Sequence, residues 1–206
     1  FFAPLGAGVG GSSAFYAATL ERPERHDLEP TAEAPHPTGG WPVGYDQMLP
    51  WYDRAARMYE LCGTPDPLSR EKPMPLRAPP DDSVGDARLM QSFRDAGLHP
   101  YRLHSAIRYV KGCLGCMGHK CPKPCKMDGR SAGVEPALAT GNARLMDRVE
   151  VTRLLGSGDR ITGVEVIRDG VTEVLSAPTV VLAGGALGSA RLMLASANSA
   201  WPDGCG

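Results

Sequence analysis

Residues 45–61 place apolar side chains at intervals of three and four residues, a spacing that predicts an amphipathic helix. The repeating positions are Tyr45, Leu49, Tyr52, Ala56 and Tyr59. Pro50 lies within this pattern, and because proline lacks an amide donor it either kinks the helix or marks its true start. A second helix is predicted over residues 84–96 and ends at Gly97.

Towards the C-terminal end, the pattern changes to four short β-rich runs. Turn residues at 156–159 and 169–170 separate the first three runs, which predicts an antiparallel meander. The fourth run, residues 179–183, is continuously apolar, as is typical of a strand buried on both faces. Two glycines and a helical pattern follow it, so we expect a strand–turn–helix unit there.

Glycine and proline are abundant, with 25 and 19 copies among the 206 residues. The proline-rich stretches at 22–44 and 63–82 predict extended loops, because proline fixes φ and donates no backbone hydrogen bond.

The formal net charge is −1 and only 6% of the residues are aromatic. Neither a basic surface nor an aromatic stacking platform is indicated, so we expect no nucleic-acid partner. The most apolar stretch, residues 179–197, contains Arg191 and a pair of glycines, so no membrane-spanning segment is predicted.

The start of the chain is rich in glycine, and residues 6–11 match G-x-G-x-x-G. The dinucleotide fingerprint also requires a strand before the glycines and a second strand that ends in an acidic residue, and neither is indicated here. What remains is a turn of Gly10, Gly11, Ser12 and Ser13, followed by a predicted helix that one of the serines caps. Such a turn brings backbone amides close to an anionic ligand, or it is a tight turn with an ordinary cap.

Gly184 and Gly185 precede the later helix in a similar way. A helix N-terminus offers unpaired amides and a partial positive charge, and ligands of open α/β sheets lie beyond the carboxyl ends of strands. Alternatively, the two glycines only allow the helix and the strand to pack closely.

Four of the six cysteines lie close together in the pattern C-x2-C-x4-C-x3-C. They are Cys113, Cys116, Cys121 and Cys125. Thiolates at such short spacing hold iron–sulfur clusters, often beside proline, and two prolines lie among them. Disulfides and a structural zinc site are the alternatives. His119 lies within the segment, either as a replacement ligand or as an ordinary surface side chain.

Three segments together resemble the glucose–methanol–choline (GMC) family of FAD-dependent oxidoreductases. Residues 6–23, GAGVGGSSAFYAATLERP, are similar to the family's internal Gly-Gly-Ser-Ser flavin segment. Residues 40–59, GWPVGYDQMLPWYDRAARMY, are similar to the stretch that follows it. Residues 142–197, which include VVLAGGALGSA, resemble the family's adenine-side strand, meander and glycine turn.

This resemblance implies an α/β fold with part of an FAD/NAD(P)-binding Rossmann-like domain, a β-meander and part of a substrate-side cap. We expect four segments: an FAD-binding segment at 1–21, a loop-rich cap at 22–110, a cysteine cluster at 111–135 and further FAD-binding domain at 136–206. The implied reaction is the oxidation of an alcohol, sugar or polyol by hydride transfer to FAD.

The resemblance also implies which residues meet the cofactor. The Gly10–Ser13 turn would line the pyrophosphate and the flavin, and the backbone of Val151 would meet the adenine. Ala183, Gly184 and Gly185 would close over the adenosine side.

The cysteine spacing resembles a narrower branch of the family, the membrane-linked sugar dehydrogenases with C-C-x4-C-x3-C around a three-iron cluster. Cys116, Cys121 and Cys125 reproduce the x4 and x3 gaps, whereas Cys113 lies two residues further out than the adjacent pair requires. The resemblance implies all four cysteines as cluster ligands and electron transfer from reduced flavin to a haem protein or a quinone.

The family's own G-x-G-x-x-G and its catalytic histidine lie outside the matched segments. The resemblance therefore implies a fragment that is inactive alone and binds FAD weakly or not at all. None of His26, His36, His99, His104 and His119 is expected to be the catalytic base. Two alternatives remain: a metal- or disulfide-stapled binding module without flavin, and an O2-using GMC oxidase whose cysteines form disulfides.

Overall fold

The computed structural model of the chain describes residues 5–205, which divide into a first unit that ends at Ala143 and a second unit that begins at Arg144. The helices of the first unit are α1 Arg25–Leu28, α2 Tyr45–Met58, α3 Val84–Asp95 and α4 Glu135–Ala139. The second unit contains β1 Val149–Ser157, β2 Arg160–Arg168, β3 Val171–Ser176 and α5 Gly185–Ala195. This combination confirms the predicted α/β class. Among the described residues, no helix is both long enough and apolar enough to cross a bilayer.

The two helices predicted from the apolar spacing of the first unit are present. In α2, Pro50 lies inside the helix, so the idea that it marks the helix start is wrong. Its missing amide costs one hydrogen bond to a carbonyl of the first turn. In α3, the Ser83 side chain accepts a hydrogen bond from the Asp86 amide at 3.0 Å, and Gly97 follows the helix with φ of 77°. These contacts are a standard N-cap and a left-handed glycine stop.

The core of the first unit joins segments that are distant in sequence. Its buried apolar residues are Ala18, Ala56, Leu61, Ala106, Ile107, Met127 and Ala132. Isolated backbone bridges connect Thr19 with Ser105 and Ile107 with Lys126. The chain around these bridges therefore pairs as short extended pieces, with few residues in each.

The helix predicted after Ser13 is absent. A 3-10 turn over Gly11–Ala14 is followed by non-helical backbone in which Ala18 has φ of 64°. The Ala106 amide donates to the Ala18 carbonyl at 2.7 Å, and the Leu20 amide donates to the His104 carbonyl at 3.1 Å. The prediction failed because these long-range hydrogen bonds satisfy the backbone in place of helical ones.

The predicted meander of the second unit is confirmed. Its strands pair antiparallel in the order β1–β2–β3. The loop between β2 and β3 is the pair Asp169-Gly170, with φ of 48° and 80°. Positive φ at both positions is the requirement of a type I′ hairpin turn, which matches the twist of the strands.

The fourth predicted strand, residues 179–183, is not formed. No described strand pairs with this segment, and the Val181 side chain is 83% exposed. A strand of this type is stable only between neighbouring strands, so its apolar character alone did not determine its structure. The helix predicted after it is present as α5, and the buried Ser196 hydroxyl joins it to β1 by accepting from the Leu154 amide at 2.8 Å.

Candidate functional site

The Gly10–Ser13 turn is held by the hydroxyl groups of its own serines. Gly10 and Gly11 have φ of 96° and 53°, a region that disfavours residues with a side chain. Ser13 Oγ donates to the Gly10 carbonyl at 2.5 Å and accepts from the Gly129 amide at 2.8 Å. Ser12 Oγ accepts from the Gly6 amide at 3.0 Å. The two serines therefore shape this turn, and neither caps a long helix.

Asp128 and Arg130 pack against this turn. A Cβ atom added to Gly10 would lie 3.2 Å from the Arg130 amide nitrogen and 3.7 Å from Asp128 Cγ. The Asp128 side chain is fully buried, and its Oδ1 accepts from the Ser131 amide at 2.8 Å. Its Oδ2 has no hydrogen-bond partner. A buried acceptor without a partner is costly, so this oxygen is suited to a donor group of a ligand.

Sequence reasoning did not identify Asp128. It follows the cysteine segment and belongs to no recognised spacing, and its proximity to Gly10 comes from a contact across more than half of the chain. The π-helical turn Gly129–Val134 directly after it is a feature often found at functional sites. That turn is not recognisable from periodicity.

The second unit contains a pocket of about 380 Å³ between β1 and the glycine turn before α5. Val151, Ala183 and Gly184 line it together, with Leu154 and Val164 among the apolar residues of its wall. Gly185 is not part of the lining and begins α5 with φ of 76°. The structure thus brings together three of the four residues of this unit that the resemblance implied.

A larger cavity of about 640 Å³ lies in the first unit, near the start of α2. Five large apolar side chains line it, those of Leu28, Trp41, Val43, Met48 and Tyr52. All five fall within the segment predicted as the substrate-side cap.

Charged side chains surround the buried ring of Tyr45 next to this cavity. The Arg25 guanidinium lies 4.8 Å from the ring centroid and donates to Asp46 at 2.8 Å and to Glu71 at 3.1 Å. The hydrogen bond from Arg25 holds the pKa of Asp46 below its usual value. Burial raises the pKa of the Tyr45 phenol. This group fixes the start of α2 and has no feature of an acid–base pair.

His104 is the buried histidine of the first unit. Its Nδ1 lies 2.6 Å from Glu21 Oε2, and its Nε2 lies 2.9 Å from the Thr64 carbonyl oxygen. Both ring nitrogens therefore face oxygen atoms of the protein. This arrangement ties the imidazole to two other segments of the first unit.

Three of the four clustered cysteines bring their sulfur atoms together. Cys125 Sγ lies 3.2 Å from Cys121 Sγ and 3.7 Å from Cys113 Sγ. Burial alone would raise the pKa of Cys121, but hydrogen bonds from backbone amides and from the Cys125 thiol lower that pKa to about 7. Burial and the neighbouring sulfurs raise the pKa of Cys125 to about 12.

Cys116 has a different contact. Its carbonyl oxygen accepts from Lys126 Nζ at 2.9 Å, while among the described residues its sulfur makes no hydrogen bond with the other three thiols. The Lys126 ammonium is almost fully buried and also donates to the carbonyls of Tyr16 and His119. This lysine holds the cysteine segment in place through backbone oxygens.

The four-cysteine iron–sulfur site is therefore not supported. Within residues 5–205, no group of three or more His, Cys, Asp or Glu side chains is arranged to hold a metal ion. A structural zinc ion or a four-cysteine cluster needs four ligands, and only three of the thiols converge. The residues of the segment do not fit the predicted metal centre.

Known proteins match the chain along almost its whole length. An oxygen-dependent choline dehydrogenase of Staphylococcus saprophyticus is 26% identical over 187 residues, which cover 90% of this chain and 32% of the relative. The same identity and coverage apply to an oxygen-dependent choline dehydrogenase of Staphylococcus xylosus. A paromamine 6'-oxidase of Streptomyces fradiae is 26% identical over 213 residues, which cover 96% of this chain and 38% of the relative.

The chain thus spans about a third of the length of these relatives. The sequence model of the family described as GMC oxidoreductase matches residues 1–201. Because that match covers nearly every residue, the chain belongs to the GMC oxidoreductase family.

Proposed function

We propose that this chain is part of a longer FAD-dependent oxidoreductase that acts on the CH–OH group of an alcohol, a sugar or a polyol. The observation that carries the proposal is the pocket of the second unit. Val151 and the Ala183-Gly184 pair come from separate elements, yet they line one cavity. They are also the residues that the family resemblance implied for the adenosine side.

Two features of the described residues, one in each unit, support FAD as the cofactor. The pocket of about 380 Å³ has the apolar walls that suit a flat aromatic base. In the first unit, a Cβ atom added to Gly11 would meet nothing within 4 Å, so that face of the turn is open to a ligand. The unpaired Asp128 Oδ2 beside Gly10 is a ready hydrogen-bond acceptor for a ligand hydroxyl or amide.

Each residue has a role in this proposal. The backbone of Val151 meets the base, Ala183 holds it by apolar contact, and Gly184 leaves the N-terminus of α5 without an obstructing side chain near a phosphate. Gly10 and Gly11 let the backbone approach the cofactor closely. When bound, FAD supplies the hydride-accepting chemistry, and the protein binds and orients it.

The cap segment at 22–110 would face the substrate. The cavity of about 640 Å³ with its exposed Trp41 supports this role, because it offers apolar surface beside charged groups. Choline and paromamine appear in the names of the relatives, so both head the panel of test substrates. Sugars and polyols complete that panel.

The test uses the complete protein that contains these residues. We expect stoichiometric FAD by absorbance near 450 nm, and loss of this absorbance when one of the alcohols is added without oxygen. Addition of a quinone, a haem protein or O2 then identifies the electron acceptor. A complete protein that binds no flavin would overturn the proposal. Tight, stoichiometric FAD binding by the 206-residue chain alone would contradict its status as an incomplete part.

A matched pair of variants tests the pocket itself. Val151→Arg introduces a charged side chain into the pocket lining, whereas Val174→Arg changes an exposed valine of β3 outside the lining. We expect FAD affinity to fall at least about tenfold in Val151→Arg, which corresponds to about 1.4 kcal/mol, and to stay unchanged in Val174→Arg. Equal affinities in the two variants would remove Val151 from the cofactor site.

A further inference from the structure

Cys125 is the shared neighbour of two other thiols. Its sulfur lies 3.2 Å from Cys121 Sγ and 3.7 Å from Cys113 Sγ. These distances are contacts between unbonded sulfurs, and all three thiols are free. A sulfur–sulfur bond of about 2.05 Å would require Cys121 and Cys125 to approach by only about 1.2 Å.

The loop around these thiols is held firmly enough to keep the sulfurs in contact. Pro122 and Pro124 lie between Cys121 and Cys125, and each proline fixes φ. The Arg108 amide donates to the Cys125 carbonyl at 2.7 Å. Lys126 then fixes the end of the segment through its three carbonyl acceptors.

Access from solvent differs among the three thiols. Cys121 and Cys125 are buried, with relative exposures of 1% and 2%, whereas Cys113 is partly exposed. A small oxidant in solution therefore meets Cys113 before it meets the buried pair. The contact between Cys113 and Cys125 connects the exposed thiol to the pair.

We infer that Cys121 and Cys125 form a reversible disulfide, and that Cys113 is the thiol through which a small-molecule disulfide exchanges with this pair. The inference does not depend on FAD or on the proposed reaction. It follows from the convergence of three thiols that, among the described residues, are not arranged to hold a metal ion.

The exchange proceeds in three displacement steps that conserve atoms and electrons. The Cys113 thiolate attacks a small disulfide RSSR, which forms a mixed disulfide and releases RS⁻. The Cys125 thiol gives its proton to the released RS⁻, and its thiolate attacks the Cys113 sulfur and releases the second RS⁻. The Cys121 thiol then gives its proton to that second RS⁻, and its thiolate attacks Cys125 and frees the Cys113 thiolate. Overall, two cysteine thiols are oxidised to one disulfide, RSSR is reduced to two RSH, and the two thiol protons pass to the released thiolates.

The sequence allows each pairing to be distinguished by peptide mapping. Trypsin cleaves after Lys111, Lys120 and Lys126 but not between Lys123 and proline, so Cys121 and Cys125 stay in one peptide, residues 121–126. Cys113 and Cys116 fall in the peptide 112–120. A Cys121–Cys125 bond therefore lowers the mass of one peptide by two hydrogens, whereas a Cys113–Cys125 bond joins the two peptides.

The experiment equilibrates the chain with oxidised glutathione, blocks the remaining thiols with N-ethylmaleimide and maps the peptides by mass spectrometry. We expect the disulfide within 121–126, with four of the six cysteines blocked, and full recovery of six thiols after dithiothreitol. In Cys121→Ser, the bond should move to Cys113–Cys125 and join the two peptides. In Cys125→Ser, neither bond should form.

Cys116→Ser is the matched control, because the Cys116 sulfur makes no hydrogen bond with the other three thiols among the described residues. The disulfide in 121–126 should remain in this variant. A disulfide confined to 112–120, six blocked thiols in excess oxidised glutathione, or a protein purified with bound iron or zinc and four unreactive cysteines would each overturn the inference. Even if a variant fails to fold, the peptide map of the unsubstituted chain shows whether the Cys121–Cys125 disulfide forms.

Discussion

The two units of this chain are stabilised by different kinds of contact. In the second unit, neighbouring strands in the sequence are also neighbours in the sheet, so the main contacts are local. In the first unit, Lys126 reaches the carbonyl of Tyr16, and the Glu21 carboxylate accepts from the His104 amide. The comparison shows that a regular ladder can be recognised from a short stretch of sequence, whereas a unit of single long-range contacts cannot.

The largest effect should follow the loss of the buried ammonium in the first unit. Lys126→Met keeps a similar volume but leaves three carbonyl groups in partly buried contacts without their donor, those of Tyr16, Cys116 and His119. We expect the free energy of unfolding to fall by about 3 kcal/mol, because hydrogen bonds to charged groups are strong and acceptors left unpaired away from water are costly. Urea unfolding of the chain measures the change.

Lys123→Met is the control for Lys126→Met in the same segment. The Lys123 ammonium is exposed, and its distances to the carbonyls of Lys111 and Gly112 are 3.2 and 3.4 Å. We expect a change within about 0.5 kcal/mol. Equal unfolding midpoints for the two variants would contradict the view that Lys126 stabilises the first unit.

The same difference between the units explains which predictions of secondary structure succeeded. The meander, α2, α3 and α5 were predicted because periodicity and turn residues report local hydrogen bonding. The predictions of a helix after Ser13 and of a strand at 179–183 were both wrong because each outcome depends on contacts outside the segment. The Ala18 carbonyl accepts from the distant Ala106 amide, and residues 179–183 have no partner strand among the described residues. Neither circumstance is encoded in the segment itself.

The second unit provides a local test of intermediate size. A Cβ atom at Gly163 in β2 would overlap the Leu175 carbonyl oxygen of β3, so Gly163→Ala should disrupt the pairing of these strands. We expect a loss of about 2 kcal/mol, as for other overpacked sites. Gly188→Ala in α5 is the matched substitution, since nothing lies within 4 Å of its Cβ position.

Gly188→Ala should raise the stability by about 0.5–1 kcal/mol, because alanine has a higher helix propensity than glycine. The two glycine variants therefore shift the urea midpoint in opposite directions. If both lower it, the space around Gly188 or the pairing at Gly163 differs from the structure.

The residues of the candidate site also fall into two groups, those that a sequence segment predicts and those that depend on long-range contacts. Val151, Ala183 and Gly184 are predictable because whole segments resemble a known family, and the pocket brings them together. Asp128 was missed, since its relation to Gly10 depends on a contact across distant parts of the chain. For the cysteines, spacing predicted that a group would form but not which sulfurs would meet, because that depends on how the loop closes around Lys126.

The smallest effect is expected at a buried hydroxyl of the first unit. The Tyr45 side chain is fully buried and its hydroxyl has no hydrogen-bond partner, so Tyr45→Phe should be neutral or stabilising by up to about 1 kcal/mol. Tyr16→Phe is the contrast, because the Tyr16 hydroxyl donates to the Met127 carbonyl at 2.6 Å. That variant should lose about 1 kcal/mol. A larger loss in Tyr45→Phe than in Tyr16→Phe would contradict the unpaired state of the Tyr45 hydroxyl.

The dependence on pH sharpens this last prediction. Burial raises the pKa of Tyr45 above its ordinary value of 10.0, so the folded chain retains this proton at a pH where the unfolded chain releases it. The stability of the unchanged chain therefore falls as the pH rises above about 10, and Tyr45→Phe removes this part of the loss. The advantage of Tyr45→Phe over the unchanged chain should be larger at pH 11 than at pH 8. An advantage that stays constant between these two values would show that the Tyr45 phenol titrates equally in the folded and unfolded chain.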